Sequence, residues 1–246
     1  MIVITQKAAK MDTSSSDPTV RLALREVREA AFRALVTRGA SSSEAQSAAR
    51  QVLFAEMHRG TGMRALMWWL RERSWEPEPL AYVRSDLGSG VRYEMGQDAP
   101  CDPLMHGALL VDVASTRVGS EVLCHTVADR AHLLDEALLS AASSSGLTVV
   151  HRQAGDRNRT TFATPTGDLG HGFSTAGAGA PHLAPSSGFG SRFYTADTAP
   201  PGVFVTSTAA DRDLRKSQLA HDGLHVDALT WAEIRAVAAG YLVAEA

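Results

Sequence analysis

The chain reads as an α+β (mixed α/β) fold, in which an N-terminal three-helix layer packs on a mixed sheet and further helices follow at 127–142 and 230–243. Three observations predict it. Apolar residues recur at helical spacing up to about residue 73, with short glycine-marked turns between the runs. A helical pattern stopped by Gly146 leads at once into a short apolar strand, a familiar α/β step. Strand-like and glycine-rich segments then fill the chain up to a last helical run.

Residues 1–16 read as a flexible leader and 17–246 as one globular domain. Asp17 reads as an N-cap with Pro18 at the first helical position, where a missing N–H costs nothing. The helix it opens, over 20–38, carries Leu22, Val27, Ala30, Ala31, Ala34 and Leu35, and Gly39 closes it. Ser41 and Glu44 form a capping box for a second helix with Ala45, Ala48, Ala49, Val52, Leu53 and Ala55 on one face. Gly60 and Gly62 break it, and a third helix follows over 63–73 with Leu66, Met67, Trp69 and Leu70. Beyond Pro77 and Pro79, segments 80–84 and 91–95 flank Gly88-Ser89-Gly90 as a hairpin. The apolar run 108–113 has the shape of a buried strand, 127–142 of a helix, and 147–150 of a second short strand. Residues from about 151 to 201 form a long glycine-rich loop region, and loops of that length are usually functional or disordered. Strands resume at 203–207 and 224–226, and Thr230 with Glu233 reads as the capping box of the last helix.

Composition narrows the function classes. Of 246 residues 44% are hydrophobic and 21% charged, and the formal net charge is -3, so nothing in the overall balance attracts nucleic acid or an anionic membrane. No apolar run approaches the roughly 20 residues of a membrane span, and the expected location is cytoplasmic. Lysine occurs only at Lys7, Lys10 and Lys216, so arginine carries nearly all the positive charge. Cys101 and Cys124 match no disulfide framework and no zinc spacing. His221 and His225 are four apart, but Gly223 between them favours a turn over a shared metal-binding helix face, and no metal is expected.

Three regions carry candidate chemistry. His58, in the turn Glu56-Met57-His58-Arg59-Gly60-Thr61-Gly62-Met63-Arg64, has the pKa of a general acid or base, with Arg59 and Arg64 as a carboxylate clamp. The same residues also suit a helix end, where cations meet the negative end of the dipole. His151 and Arg152 follow a strand, with Asp156, Arg157 and Arg159 just beyond, and ligands of α/β proteins often sit at carboxyl ends of strands. Catalysis is expected from His151, His58 and Asp156, and anion binding from Arg152, Arg157, Arg159 and Arg64; a solvated polar loop is the competing reading. Gly170 and Gly172, in Gly167-Asp168-Leu169-Gly170-His171-Gly172, offer backbone N–H groups to a cofactor phosphate, although a glycine-rich coil has the same composition.

Over residues 27–70, the stretches Val36-Thr37-Arg38-Gly39-Ala40-Ser41, Glu44-Ala45 and Ala55-Glu56-Met57-His58-Arg59-Gly60-Thr61-Gly62-Met63-Arg64-Ala65-Leu66 resemble the N-terminal helical region of the type-2 malate/lactate dehydrogenases. That family carries a Ser-His-Gly motif with a functional histidine at this turn, where this chain has Gly60-Thr61-Gly62. The resemblance implies NAD(P)-linked reduction of 2-oxo or imino acids. The layout, with a Gly-Ala-x-x-x-Asp segment from Gly107 to Asp112, is also similar to a bacterial family of unknown function.

Two readings of function remain. One is a small-molecule metabolic or biosynthetic enzyme that acts on a carboxylate-bearing substrate by histidine acid/base chemistry, as a divergent oxidoreductase relative. The other is a non-catalytic binding or scaffold protein, either a degenerate enzyme relative or a subunit of a complex. The expected partner is a small-molecule ligand, with no nucleic acid and no membrane; a homo-oligomer or a partner subunit is left open.

Overall fold

A computed structural model describes residues 18–73, 75, 81–96, 101–125, 128–154, 159–173 and 190–242. The leader at 1–16, and with it Asp17, lies outside them, as do Asp156 and Arg157.

The chain enters as a strand, not a helix. β1 (Thr19–Leu22) pairs antiparallel with β10 (Leu224–Asp227), with Thr19 opposite Asp227 and Leu22 opposite Leu224. Apolar residues within two turns of each other satisfied a helical template, but a partner strand about two hundred residues away captures this short segment instead. α1 (Leu24–Thr37) begins after it, and the Glu26 carboxylate accepts the Ala23 N–H at 2.7 Å. α2 (Ser42–Arg59) starts at the expected Ser41–Glu44 capping box and ends at Gly60, whose φ of 64° places it in the left-handed region. α3 (Gly62–Glu72) follows α2 after only Gly60 and Thr61. These three helices and α7 (Ala228–Ala239) share one core, in which Val27, Leu35, Val52, Leu66, Trp69 and Ile234 are fully buried. α7 is capped by Asp227, which accepts the Thr230 N–H at 2.7 Å, so Thr230 lies inside the first turn and not at the cap.

The second layer is an eight-stranded mixed sheet in the order β2-β3-β4-β8-β5-β6-β7-β9. β2 (Tyr82–Asp86) and β3 (Val91–Met95) form the expected hairpin, and β3 runs parallel to β4 (Glu121–Cys124). The remaining neighbours, β8 (Ser191–Ala196), β5 (Thr148–Gln153), β6 (Arg159–Ala163), β7 (Leu169–Phe173) and β9 (Val203–Ser207), are antiparallel. Three of these strands lie in the segment expected to be loop. Their sequences, such as Arg159-Thr160-Thr161-Phe162-Ala163, are β-branched and aromatic but only five or six residues long, and the glycines around them masked the signal.

Two further helices differ from expectation. The apolar run 108–113 is helical: α4 (Gly107–Ser115) buries Leu110, Val111 and Ala114 while Leu109 and Asp112 face out. A short, mostly apolar run fits a buried strand or a buried helix equally, and here tertiary packing selects the helix. The helix expected at 127–142 opens as a 3-10 turn over Ala128–Leu134 and becomes α5 only at Asp135–Ser145. α4 and α5 pack on one face of the sheet around Val122, Phe193, Val149 and Leu138, and Cys101 and Cys124 are buried in the same cluster. α6 (Ala209–Asp222), capped by Thr208, replaces the expected turn around His221; only Leu219 in it is buried, so it has almost no apolar stripe to read. Among the described residues no helix is long and apolar enough to cross a membrane.

Gly170 on β7 is a packing glycine. A Cβ there would overlap the ring of Phe162, its partner across β6, which is fully buried. Gly170→Ala is expected to cost about 1–3 kcal/mol through overpacking, measured as a lowered urea midpoint at unchanged slope.

Candidate functional site

Antiparallel register sets the site. His151 on β5 stands opposite Thr161 on β6, and Thr161 opposite His171 on β7, so the three form one row across the sheet. Arg159 lies two residues from Thr161 and therefore on the same face. The end of α2 and the start of α5 bring Arg59, Thr61, His132 and Asp135 to the same row.

Asp135 is the centre. Its side chain is 1% exposed, and Oδ2 accepts from Arg59 Nε at 3.1 Å and Nη2 at 2.6 Å. Among the described residues Oδ1 has no hydrogen-bond partner. Burial raises its pKa to about 6, outweighing the opposite pull of Arg59, Arg159 and Arg212. The short ion pair and the raised pKa are compatible: the carboxylate is ionised and paired at neutral pH, and takes a proton just below it.

Arg59 Nη2 also lies 2.7 Å from His171 Nε2. A guanidinium only donates, so Nε2 is the acceptor and the His171 proton sits on Nδ1, which donates to Thr161 Oγ1 at 3.1 Å. Burial, then Arg59 and Arg159, hold the His171 pKa down to about 4. His132 Nε2 lies 3.0 Å from Thr61 Oγ1, and burial with Arg59, Arg159 and Arg130 lowers its pKa too. Arg59 keeps 31% of its side chain exposed, and among the described residues its Nη1 makes no hydrogen bond. The arrangement is a half-open cluster in which Asp135 is buried, His171 keeps 17% and Arg59 31% of its side chain exposed, and more arginine than carboxylate surrounds them. That excess of positive charge gives the cluster a field favourable to anions.

The residues singled out from sequence are only partly together. Arg159 shares the sheet face of His171 and acts electrostatically on Asp135 and His171. His151 lies in the same row but is 2% exposed, stacked on Phe193 at 4.5 Å and within 3.1 Å of Ser191 Oγ. β5 does not stop at Val150 but runs through to Gln153, which carries the histidine into the core; burial and then Arg159 depress its pKa to about 3. His58 packs on Phe54 at 4.4 Å near Arg212 and Arg215, and burial, then those arginines, hold its pKa at about 4. Arg152 faces the opposite side of the sheet, opposite Arg192, which pairs with the buried Glu121. Arg64 is exposed on α3, electrostatically coupled to Asp227. Gly170 and Gly172 lie within β7 against Phe162 and Val203. Asp156 and Arg157 are outside the described residues. An open cleft of about 770 Å³ elsewhere, lined by Trp75, Tyr93, Met95 and Leu104 among others, contains none of these residues.

Sequence reasoning missed Asp135, His132 and His171 as site residues. Asp135 opens a helix in an otherwise ordinary apolar pattern, and His171 was quoted only as part of a glycine run. No local motif joins residues 59, 135 and 171; only the register of β6 and β7 does.

No family model matches this sequence, and no curated protein matches it. Solved structures do match in fold. Malate dehydrogenase from Entamoeba histolytica aligns with a TM-score of 0.61 at 11% identity, over 93% of this chain and 99% of that one. A dehydrogenase from Sinorhizobium meliloti aligns with a TM-score of 0.60 at 12% identity, over 90% and 100%. Sulfolactate dehydrogenase from Methanocaldococcus jannaschii aligns with a TM-score of 0.59 at 8% identity, over 90% and 97%. The chain therefore shares the fold of malate/lactate dehydrogenase-type proteins, which agrees with the resemblance of residues 27–70.

Proposed function

We propose that this chain is a divergent oxidoreductase relative whose recess at Arg59, Asp135 and His171 binds a small carboxylate-bearing metabolite. One observation carries the reading: three separate segments converge so that Arg59 bonds both a buried carboxylate and a neutral imidazole, with a second imidazole and Arg159 close enough to act on them electrostatically. Arg59 Nη1 and Arg159 hold the carboxylate. A bound anion offsets their field, which raises the depressed pKa values of His132 and His171 and makes either ring a better proton acceptor.

A nicotinamide cofactor follows from the family resemblance, and such a group would supply the hydride. Gly170 and Gly172 do not fit its phosphates, because both are filled against by Phe162 and Val203. No step is assigned through it. A second reading, a binding protein without turnover, is favoured by one feature: Arg59, Asp135 and His171 are already bonded to one another.

A thermal-shift panel of pyruvate, oxaloacetate and phenylpyruvate, each with and without reduced nicotinamide cofactors, tests the proposal. At least one acid is expected to raise the melting point, and Arg159→Ala is expected to weaken its binding about tenfold or more, the loss of a hydrogen bond to a charged group. Stabilisation by an acid with no oxidation of cofactor selects the binding-only reading. No acid stabilising the protein, or an unchanged response in Arg159→Ala, rules the site out.

A further inference from the structure

The cleft of about 770 Å³ shares no residue with the Arg59 cluster and has the opposite charge. A hairpin face and a helix face build it. Tyr82 on β2 stands opposite Met95 on β3, and Tyr93 lies two residues before Met95, so all three share one face of the hairpin. Leu109, Asp112 and Val113 recur at helical spacing on α4 and form the second wall. Trp75 and the start of α2, with Glu44, also line the space. Trp75, Met95 and Leu104 are buried, whereas Tyr82 is 58% and Leu109 54% exposed, so an apolar interior opens at an accessible edge. A space of this size takes a small organic molecule.

Charge selects the kind of molecule. Among the described residues two carboxylates line the cleft and no lysine or arginine does. Glu44 accepts from Ser41 Oγ at 2.6 Å, and that bond chiefly lowers its pKa, so it is ionised. Asp112 differs: among the described residues its carboxylate has no hydrogen bond and no ion pair, and burial raises its pKa against the pull of Arg50. Arg50 is bonded instead to Glu136, at 3.2 Å. His106 adds no opposing charge. Its Nδ1 accepts the Asp102 N–H at 3.1 Å, which puts the ring proton on Nε2, and burial lowers its pKa and keeps it neutral. The rings of Tyr82 and Tyr93 meet edge-on with centroids 5.6 Å apart, and aromatic faces attract cations.

We propose that this cleft binds a small aromatic amine, whose ammonium group bonds Asp112 while its ring lies between the tyrosines and the α4 face. Both parts of the ligand are needed. A bare amine buries almost no apolar surface, and an aromatic acid would bring a third carboxylate with no cation to meet it. A cation at Asp112 supplies the bonded partner that this partly desolvated carboxylate lacks within the chain.

The test is isothermal titration calorimetry of the full chain with phenethylamine, its neutral isostere 2-phenylethanol, and ethylamine, for the wild type, Asp112→Asn and Tyr82→Ser. The wild type is expected to bind phenethylamine about tenfold or more tightly than either 2-phenylethanol, which lacks the charge, or ethylamine, which lacks the ring. Asp112→Asn is expected to remove the advantage of the amine over the alcohol and leave the alcohol's affinity unchanged. Because Asp112 holds no bond, the melting point of the free variant is expected to stay nearly the same. Tyr82→Ser is expected to weaken both ring-bearing ligands and leave ethylamine unchanged. Absence of phenethylamine binding, equal affinity for amine and alcohol, or an advantage that survives in Asp112→Asn overturns the proposal. So does a dimer that sediments as a monomer in Leu109→Ser, since the cleft would then be filled by a second copy of the chain. None of these failures touches the carboxylate site.

Discussion

Mild acid should destabilise this protein, with His151 as the largest single contributor. In the unfolded chain that imidazole takes a proton near pH 6.5; in the folded protein burial holds its pKa to about 3. Between those values the unfolded state binds the extra proton, so the stabilising contribution is complete above pH 6.5 and is lost as pH falls toward 3. Each unit costs about 1.4 kcal/mol, or about 2 kcal/mol by pH 5. His171 and His58, both at about 4, act with the same sign but are more open to solvent and count for less. Asp135 acts in the opposite sense: its raised pKa of about 6 makes the folded state the better proton acceptor between about pH 4 and 6, so stability from this group increases as pH falls. Among the described residues the lowered histidines (His58, His106, His132, His151 and His171) outnumber the raised carboxyls (Asp112, Asp135 and Glu136), which leaves acid destabilisation in control. Urea denaturation of the wild type at pH 7 and pH 5 is expected to show the drop, and His151→Gln is expected to remove about 2 kcal/mol of it. Equal pH slopes in wild type and variant would mean that His151 is not the buried neutral ring described here.

That single residue shows where sequence reading holds and where it ends. His151 was legible as the residue after an apolar strand, and the strand was real, but its end was placed three residues early. A shift of that size moves a side chain from a ligand's reach into the core, because strand boundaries are set by ladder partners that may lie anywhere in the chain. Helical features fared better. The Ser41–Glu44 capping box and the glycine stop at Gly60 are local devices, and both appear in the structure as the sequence implied. β1 depends on β10 and β7 in part on β9, partners distant in sequence, so propensity alone could not place them. The recess inherits that limit. Arg59 and Arg159 could be marked as anion binders from residue type, whereas Asp135 becomes a site residue only because α5 starts beneath β7.

Arg59→Met is expected to produce the largest change at the recess, with an effect on stability that depends on pH in a way a packing defect would not. The substitution leaves Asp135 buried with its bonded cation, Arg59, gone. Breaking a buried pair usually costs about 3–5 kcal/mol. Here Arg59 is one-third exposed and Asp135 can escape by taking a proton, so about 2–3 kcal/mol at pH 7 is the expected loss. The Asp135 pKa is expected to rise above its value of about 6, so the variant's deficit should shrink at pH 5, where the carboxyl is largely neutral in both proteins. Asp135→Asn added to Arg59→Met is expected to restore much of the stability at pH 7, since the uncompensated charge is removed. It is not expected to restore ligand. Loss of the guanidinium should weaken carboxylate binding by about 10–100-fold, and the neutral amide at 135 puts no cation back. Denaturation at the two pH values and calorimetry with phenylpyruvate separate the two roles. A deficit that is the same at pH 5 and pH 7 would mean that Asp135 is not the group released, and retention of ligand affinity in the double variant would mean that the anion is held elsewhere than at Arg59.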